Sequence, residues 1–155
     1  MLRLVIPKGS LEKSTLELFA DADLSIIRAS TVDYKGNIKD PRIDSVRVLR
    51  PQEIGSYVAD GLFDIGITGR DWIEETQSRV QTLCELHYSK NTARPVNIVV
   101  AVPEESQWSN VEDLPQGVKV STEYPQLTKA YFNDRGIEAD IKLSYGATEA
   151  KAPEV

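Results

Sequence analysis

The sequence predicts an α/β protein built on mostly parallel sheets with flanking helices. Three observations carry that reading. Short apolar runs of strand length recur along the chain, and most are followed within a few residues by a segment of helical period. Because these strands alternate with helices rather than with hairpin turns, they imply parallel strands joined by crossovers and covered on both faces. The pattern also restarts after Pro95, which predicts two lobes, residues 1–94 and 95–155, with a cleft.

Leu2 to Ile6 (LRLVI) reads as a buried strand, and Ser10 begins a helix with Leu11, Thr15, Leu18 and Ala22 on one face. Ser25 to Ser30 and Ser45 to Leu49 read as strands, separated by a polar loop in which Lys35-Gly36-Asn37 and Asp40-Pro41 read as turns. Pro51 suits a first helical position, Glu53 complements the helix dipole, Ile54, Tyr57 and Val58 form an apolar face, and Gly61 suits the C-terminal cap. Phe63 to Thr68 is a further buried strand, closed by Gly69 and followed by a short helix around Asp71 to Glu75. Val80 to Tyr88 and the apolar VNIVVAV run after Pro95 are expected strands, with the polar stretch Ser89 to Arg94 between them. Val111 to Leu114 reads as a short helix and Val118 to Ser121 as a strand. Pro125 opens a helix that Gly136 ends, and Ala139 to Leu143 alternates as a strand should.

Composition narrows the function classes. With 155 residues, 41% hydrophobic and 27% charged, the chain has enough apolar material for one sizeable core or two small lobes. A net charge of −6 argues against general nucleic-acid binding, which selects a basic stripe. Apolar runs such as Ile98 to Val102 are far too short to cross a bilayer, and Met1 leads straight into a strand without a basic leader, so a cytoplasmic protein without membrane contact is expected. One cysteine, Cys84, excludes an internal disulfide, and with one histidine, His87, a thiolate or imidazole metal cage is not expected. Cys84, inside an apolar strand, is expected to be a small buried hydrophobe.

In sheets of this kind ligands collect at the carboxyl ends of strands, beside helix N-termini. That rule selects Pro7 to Ser10, Arg50 to Gln52, Thr68 to Asp71 and Thr122 to Gln126. In the first, Gly9 permits close backbone approach and Lys8 supplies a mobile charge, which suits a phosphate; a tight turn with an exposed lysine has the same sequence. Arg50, at a strand end before a Pro-led helix, could grip a phosphate bidentately or pair with a neighbouring carboxylate. Gly66 to Asp71 (GITGRD) resembles a backbone anion nest, although such turns also serve close packing. Glu123 could accept from a ligand amine or hydroxyl, and Tyr124 could stack on a base or pack beside its helix, with packing preferred. Trp72 and Trp108 read as lobe surface or core.

The order of these blocks carries more than any one of them. PKG after the first strand, then LRPQEI, VADGLFDIGITGRDW, RPVNIVVAVP, VSTEYPQLTKAYF and GATEAKAPE resemble the run found in the ATP phosphoribosyltransferase family, over essentially all 155 residues. The resemblance implies a two-lobed periplasmic-binding-protein-like type II fold. It implies transfer of a phosphoribosyl group from phosphoribosyl pyrophosphate to N1 of ATP with Mg²⁺ present, the first step of histidine biosynthesis, in a homo-oligomer. It assigns Lys8 and Arg50, with Gly9 and Arg28, to the polyphosphates, and Thr68, Gly69, Asp71, Thr122, Glu123 and Tyr124 to the nucleotide side. No residue is expected to act as a nucleophile. Two departures stand out. Many members carry arginine where this chain has Ser10, and members continue beyond GATEAKAPE into a Thr-Gly-Ser/Thr turn that cradles the 5′-phosphate, so the second lobe is expected to be incomplete. A nucleotide- or solute-binding module of the same fold without turnover is the alternative.

Overall fold

The computed structural model describes residues 1–87 and 97–151. The stretch Ser89 to Arg94, the crossing at Pro95 and the end of the GATEAKAPE block lie outside the described residues. The chain divides into two compact units, Met1–Ala93 and Arg94–Val155.

The first unit contains β1 (Leu2–Pro7), α1 (Glu12–Asp21), β2 (Ile26–Ile27), β3 (Lys35–Ile38), β4 (Ile43–Leu49), α2 (Pro51–Ala59), β5 (Ile65–Gly66) and α3 (Arg70–Glu75). Its sheet runs β2-β3-β4-β1-β5. β1 pairs in parallel with β4 and β5, and the register sets Pro7 opposite Leu49. β3 is antiparallel to both neighbours. The sheet is therefore mixed, with a parallel centre, rather than mostly parallel. Lys35 to Asn37, expected as a turn, instead forms most of the antiparallel strand β3. Gly36 makes this possible: it is buried, and a Cβ there would lie 2.9 Å from Ile26 Cγ2.

Strand alternation gives β1 two apolar faces. Leu4 and Ile6 join Val46 and Val48 in a buried cluster that also takes Leu16 and Phe19 from α1. Val5, fully buried, lies with Gly66 against α2, where a Cβ on Gly66 would meet Ile54 Cγ2 at 2.7 Å and Val58 Cγ2 at 2.9 Å. The inner stripe of α1 is thus Thr15, Leu16 and Phe19, and Leu18, expected inside, is exposed. Thr15 is tolerated in the interior because its hydroxyl donates to Leu11 O at 2.7 Å.

The second unit holds β6 (Val118–Thr122), α4 (Pro125–Asn133) and β7 (Ala139–Leu143), flanked by 3-10 turns at Val111–Asp113 and Thr148–Ala150. β6 and β7 are parallel with α4 as their crossover. Leu114, Phe132 and Ile137 form the core, packed by Trp108, Val111, Val118, Val120 and Tyr131. Gly136, at φ +69°, lets the chain leave α4, as its sequence position anticipates.

Over their described residues, two expected strands do not form. Residues 80–87 and 97–102 carry no regular structure, because among the described residues neither segment has a hydrogen-bonded strand neighbour. Their side chains are consequently open to solvent, with Leu83 72% and Val99 74% exposed. Cys84 shares that environment and is exposed rather than buried. Among the described residues no helix is long and apolar enough to cross a membrane.

Candidate functional site

Parallel pairing of β1 with β4 and β5 brings three of the four expected loops to one edge of the first sheet. Lys8 N–H donates to Leu49 O at 2.7 Å, so the residues after β1 continue alongside those that lead to Arg50. Gly9 adopts φ +87° with open space where a side chain would project, while its N–H donates to Glu12 Oε2 at 3.4 Å and its carbonyl accepts from Glu12 N–H at 3.0 Å. Arg50 caps α2 in an extended conformation, and Pro51 starts the helix. Its guanidinium is exposed and has no side-chain partner among the described residues, so the carboxylate pairing weighed for it does not form there. Thr68 ties the third loop to the second, its hydroxyl donating to Pro51 O at 2.7 Å. Gly69 caps α3, and the Asp71 carboxylate folds back against it so closely that any Cβ at Gly69 would collide.

Arg28 lies differently from Lys8 and Arg50. Its side chain is only 7% exposed and is engaged on every side. Nη1 pairs with Glu12, Nε donates to Asp33 O at 2.9 Å, and Nη2 donates to Thr31 O at 2.6 Å and to Asp33 O. The β2 strand stops at Ile27, well short of Ser30, because this guanidinium curls the following residues around itself. Lys8 Nζ sits 4.3 Å above the centre of the Tyr34 ring, a cation–π distance.

The remaining predicted residues gather in the second unit, at the end of β6. Thr122 Oγ1 accepts from Tyr124 N–H at 3.0 Å, and Glu123 Oε1 accepts from Gly146 N–H at 2.8 Å. Beside them Ser144, buried, accepts from Lys151 Nζ at 2.6 Å and from Thr148 Oγ1 at 3.2 Å. Glu12, Tyr34, Ser144 and Lys151 were not selected from the sequence. Only Glu12 carried a signal, an acid in the first turn of α1; Tyr34 and Ser144 reach their positions through tertiary pairing.

Chemically, the first edge offers two accessible cations, Lys8 and Arg50, beside the starts of α1 and α2. That combination suits an anionic group with several oxygens. Among the described residues no group of three or more His, Cys, Asp or Glu could hold a metal ion. The fold and this edge define an α/β protein that presents cations and backbone donors at its strand ends.

The comparisons make the class specific. The family model of HisG, ATP phosphoribosyltransferase, matches residues 50–155, and the chain belongs to that family. An ATP phosphoribosyltransferase of Trichlorobacter lovleyi is 45% identical over 151 residues, covering 97% of this chain and 51% of the relative. One from Chlorobaculum parvum is 44% identical over 155 residues, covering 100% and 52%. The chain thus spans about half the length of the curated relatives it matches. The solved ATP phosphoribosyl transferase (HisG:HisZ) complex from Thermotoga maritima shares the fold with a TM-score of 0.70 at 21% identity, over 99% of this chain and 69% of that one.

Proposed function

We propose that this chain supplies substrate-binding strand ends of an ATP phosphoribosyltransferase, which joins N1 of ATP to C1 of phosphoribosyl pyrophosphate in the first step of histidine biosynthesis. The observation that carries this is family membership together with two cations at adjacent parallel strand ends, Lys8 over the Tyr34 ring and Arg50 exposed. In the reaction the lone pair of N1 forms the new bond to C1 while the bond from C1 to the pyrophosphate oxygen breaks, and pyrophosphate leaves with that electron pair. Such a displacement needs no protein nucleophile. It needs reactants held in line and the charge of the leaving group stabilised.

Lys8 and Arg50, with the Gly9 backbone, are assigned to the polyphosphates. Thr68, Gly69 and Asp71 in the first unit, and Thr122, Glu123 and Tyr124 in the second, are assigned to the nucleotide. Magnesium is assigned to the polyphosphate it accompanies, the usual way this ion binds. The two units correspond in this reading to the lobes of a periplasmic-binding-protein-like type II fold. A homo-oligomeric, cytoplasmic enzyme completes the proposal.

The test is pyrophosphate release from ATP plus phosphoribosyl pyrophosphate, measured for the chain and for the chain joined to the second half of the Trichlorobacter lovleyi relative. Release that requires both substrates supports the reading. ATP binding without release in either form overturns it in favour of a nucleotide-binding module. In the active form, Lys8→Ala and Arg50→Ala are each expected to weaken use of phosphoribosyl pyrophosphate about tenfold or more, the scale of a charged hydrogen bond. Unchanged kinetics in both would remove these residues from the site.

A further inference from the structure

We propose that Tyr34 is a positioning residue for Lys8, held in place by the pair of the buried Arg28 side chain with Glu12; this rests on the reading of Lys8 as a polyphosphate contact. A lysine on a flexible stem loses its rotamer freedom when it grips a ligand, so a site gains when the ammonium is held beforehand. Tyr34 provides that hold. Its ring lies under Lys8 Nζ at 4.3 Å. The ring is half exposed, so it is not there to fill a core.

The position of Tyr34 is fixed from three sides. Its carbonyl accepts from Val48 N–H at 3.0 Å, which anchors it to β4. The residue before it, Asp33, is held by Arg28 through its carbonyl and caps Lys35 N–H through its side chain at 2.9 Å. Arg28 is in turn held by Glu12, whose second carboxylate oxygen accepts from Gly9 N–H at 3.4 Å. One buried guanidinium and one carboxylate therefore connect the loop bearing Tyr34 to the loop bearing Lys8 and Gly9. This gives Arg28 a role without direct ligand contact: its donors are already committed to Glu12, Thr31 and Asp33, and it acts through the loop it shapes.

A double-mutant cycle on the full chain tests this, with magnesium pyrophosphate as the probe in calorimetric titration. Tyr34→Leu is expected to weaken binding about three- to fivefold, the range of an exposed cation–π contact. Tyr34→Phe, which keeps the ring face, is expected to bind as the unaltered chain does. In a Lys8→Met background Tyr34→Leu should cost nothing further. A spectroscopic signature accompanies this: the Lys8 Cε protons should show a ring-current upfield shift that Tyr34→Phe keeps, Tyr34→Leu abolishes and Glu12→Gln diminishes.

Loss of affinity in Tyr34→Phe, or a Tyr34→Leu cost that persists beside Lys8→Met, would overturn the proposal while leaving Lys8 in the site. Lys8→Met without effect on pyrophosphate, or no pyrophosphate binding by the unaltered chain, overturns the polyphosphate reading and this inference with it. An upfield shift unchanged by Glu12→Gln removes the pair from the device.

Discussion

The two units solve the same packing problem with unequal means. In the first, a five-stranded sheet gives β1 neighbours on both sides and helices on both faces, and Val5, Ile6, Val46 and Val48 are wholly buried. Among its described residues the second has a two-stranded parallel sheet and a core of three buried hydrophobics, Leu114, Phe132 and Ile137. Parallel strands are stable where both faces are covered. In the second unit Leu143 and Tyr145 at the end of β7 remain open to solvent, as do Ile98 and Val99 in the segment before the 3-10 turn. The same βα grammar therefore yields a larger core in the one unit than among the described residues of the other, because the number of strands sets how much apolar surface can be buried.

The largest effect that would test this contrast is Phe132→Ala. Phe132 is 1% exposed and touches most of the second core, including an edge-on contact with Tyr131 at 5.6 Å between centroids. Its truncation should cost about 3–5 kcal/mol. Hydrogen exchange is expected to show protection lost across β6, α4 and β7 while β1 and β4 keep theirs. Loss of protection at β1 and β4 as well would overturn this expectation. A smaller cost, about 1–3 kcal/mol, is expected for Gly66→Ala in the first unit, where the new methyl group would press on Ile54 and Val58. Protection should then fall at β5 and α2 first; an unaffected midpoint in urea would mean that the helix shifts freely and the packing is loose.

This contrast also explains which parts were legible in the sequence. Helix α2 reads directly because every signal is local: Pro51 at its start, Glu53 in its first turn, Gly61 at φ +73° after its end. β7 reads with its bounds intact for the same reason, alternation over five residues. Long-range pairing was invisible. Lys35 to Ile38 looks like a turn because Lys-Gly-Asn is turn chemistry, yet neighbours on both sides recruit it as a strand. Residues 80–87 and 97–102 fail in the opposite direction, having strand composition and no partner among the described residues. For the candidate site, Lys8, Arg50 and Thr68 could be selected at strand ends from local pattern, and parallel pairing brings the loops that carry them to the same end of the sheet. Tyr34 had no such pattern, since it meets Lys8 only after β3 has paired with β4.

The smallest effect concerns acid and belongs to the first unit. Asp64 accepts from Arg3 through both carboxylate oxygens, at 2.8 Å and 3.0 Å, and from Arg3 N–H at 2.7 Å. These bonds, the side-chain ones foremost, hold its pKa far below the usual carboxylate range. Asp40 is lowered to about 2, first by hydrogen bonding from the Arg42 side chain and then by the Arg42 backbone N–H. Both folded pKa values lie under the unfolded value of about 3.9. The unfolded chain therefore takes up protons that the native state refuses, so this contribution is complete above about pH 4 and declines as pH falls through the folded values. The Asp64 carboxylate is a third exposed and Arg42, the partner of the largely covered Asp40, is mostly in solvent, so solvent screening keeps both pairs modest. Stability measured by urea titration from pH 6 to pH 2 should fall on the acid side, and Asp40→Asn with Asp64→Asn should flatten that limb while lowering the plateau. An acid limb equally steep in the double variant would transfer the acid sensitivity to other carboxylates, and hydrogen exchange at pH 3 would then show whether the smaller second core fails before the first.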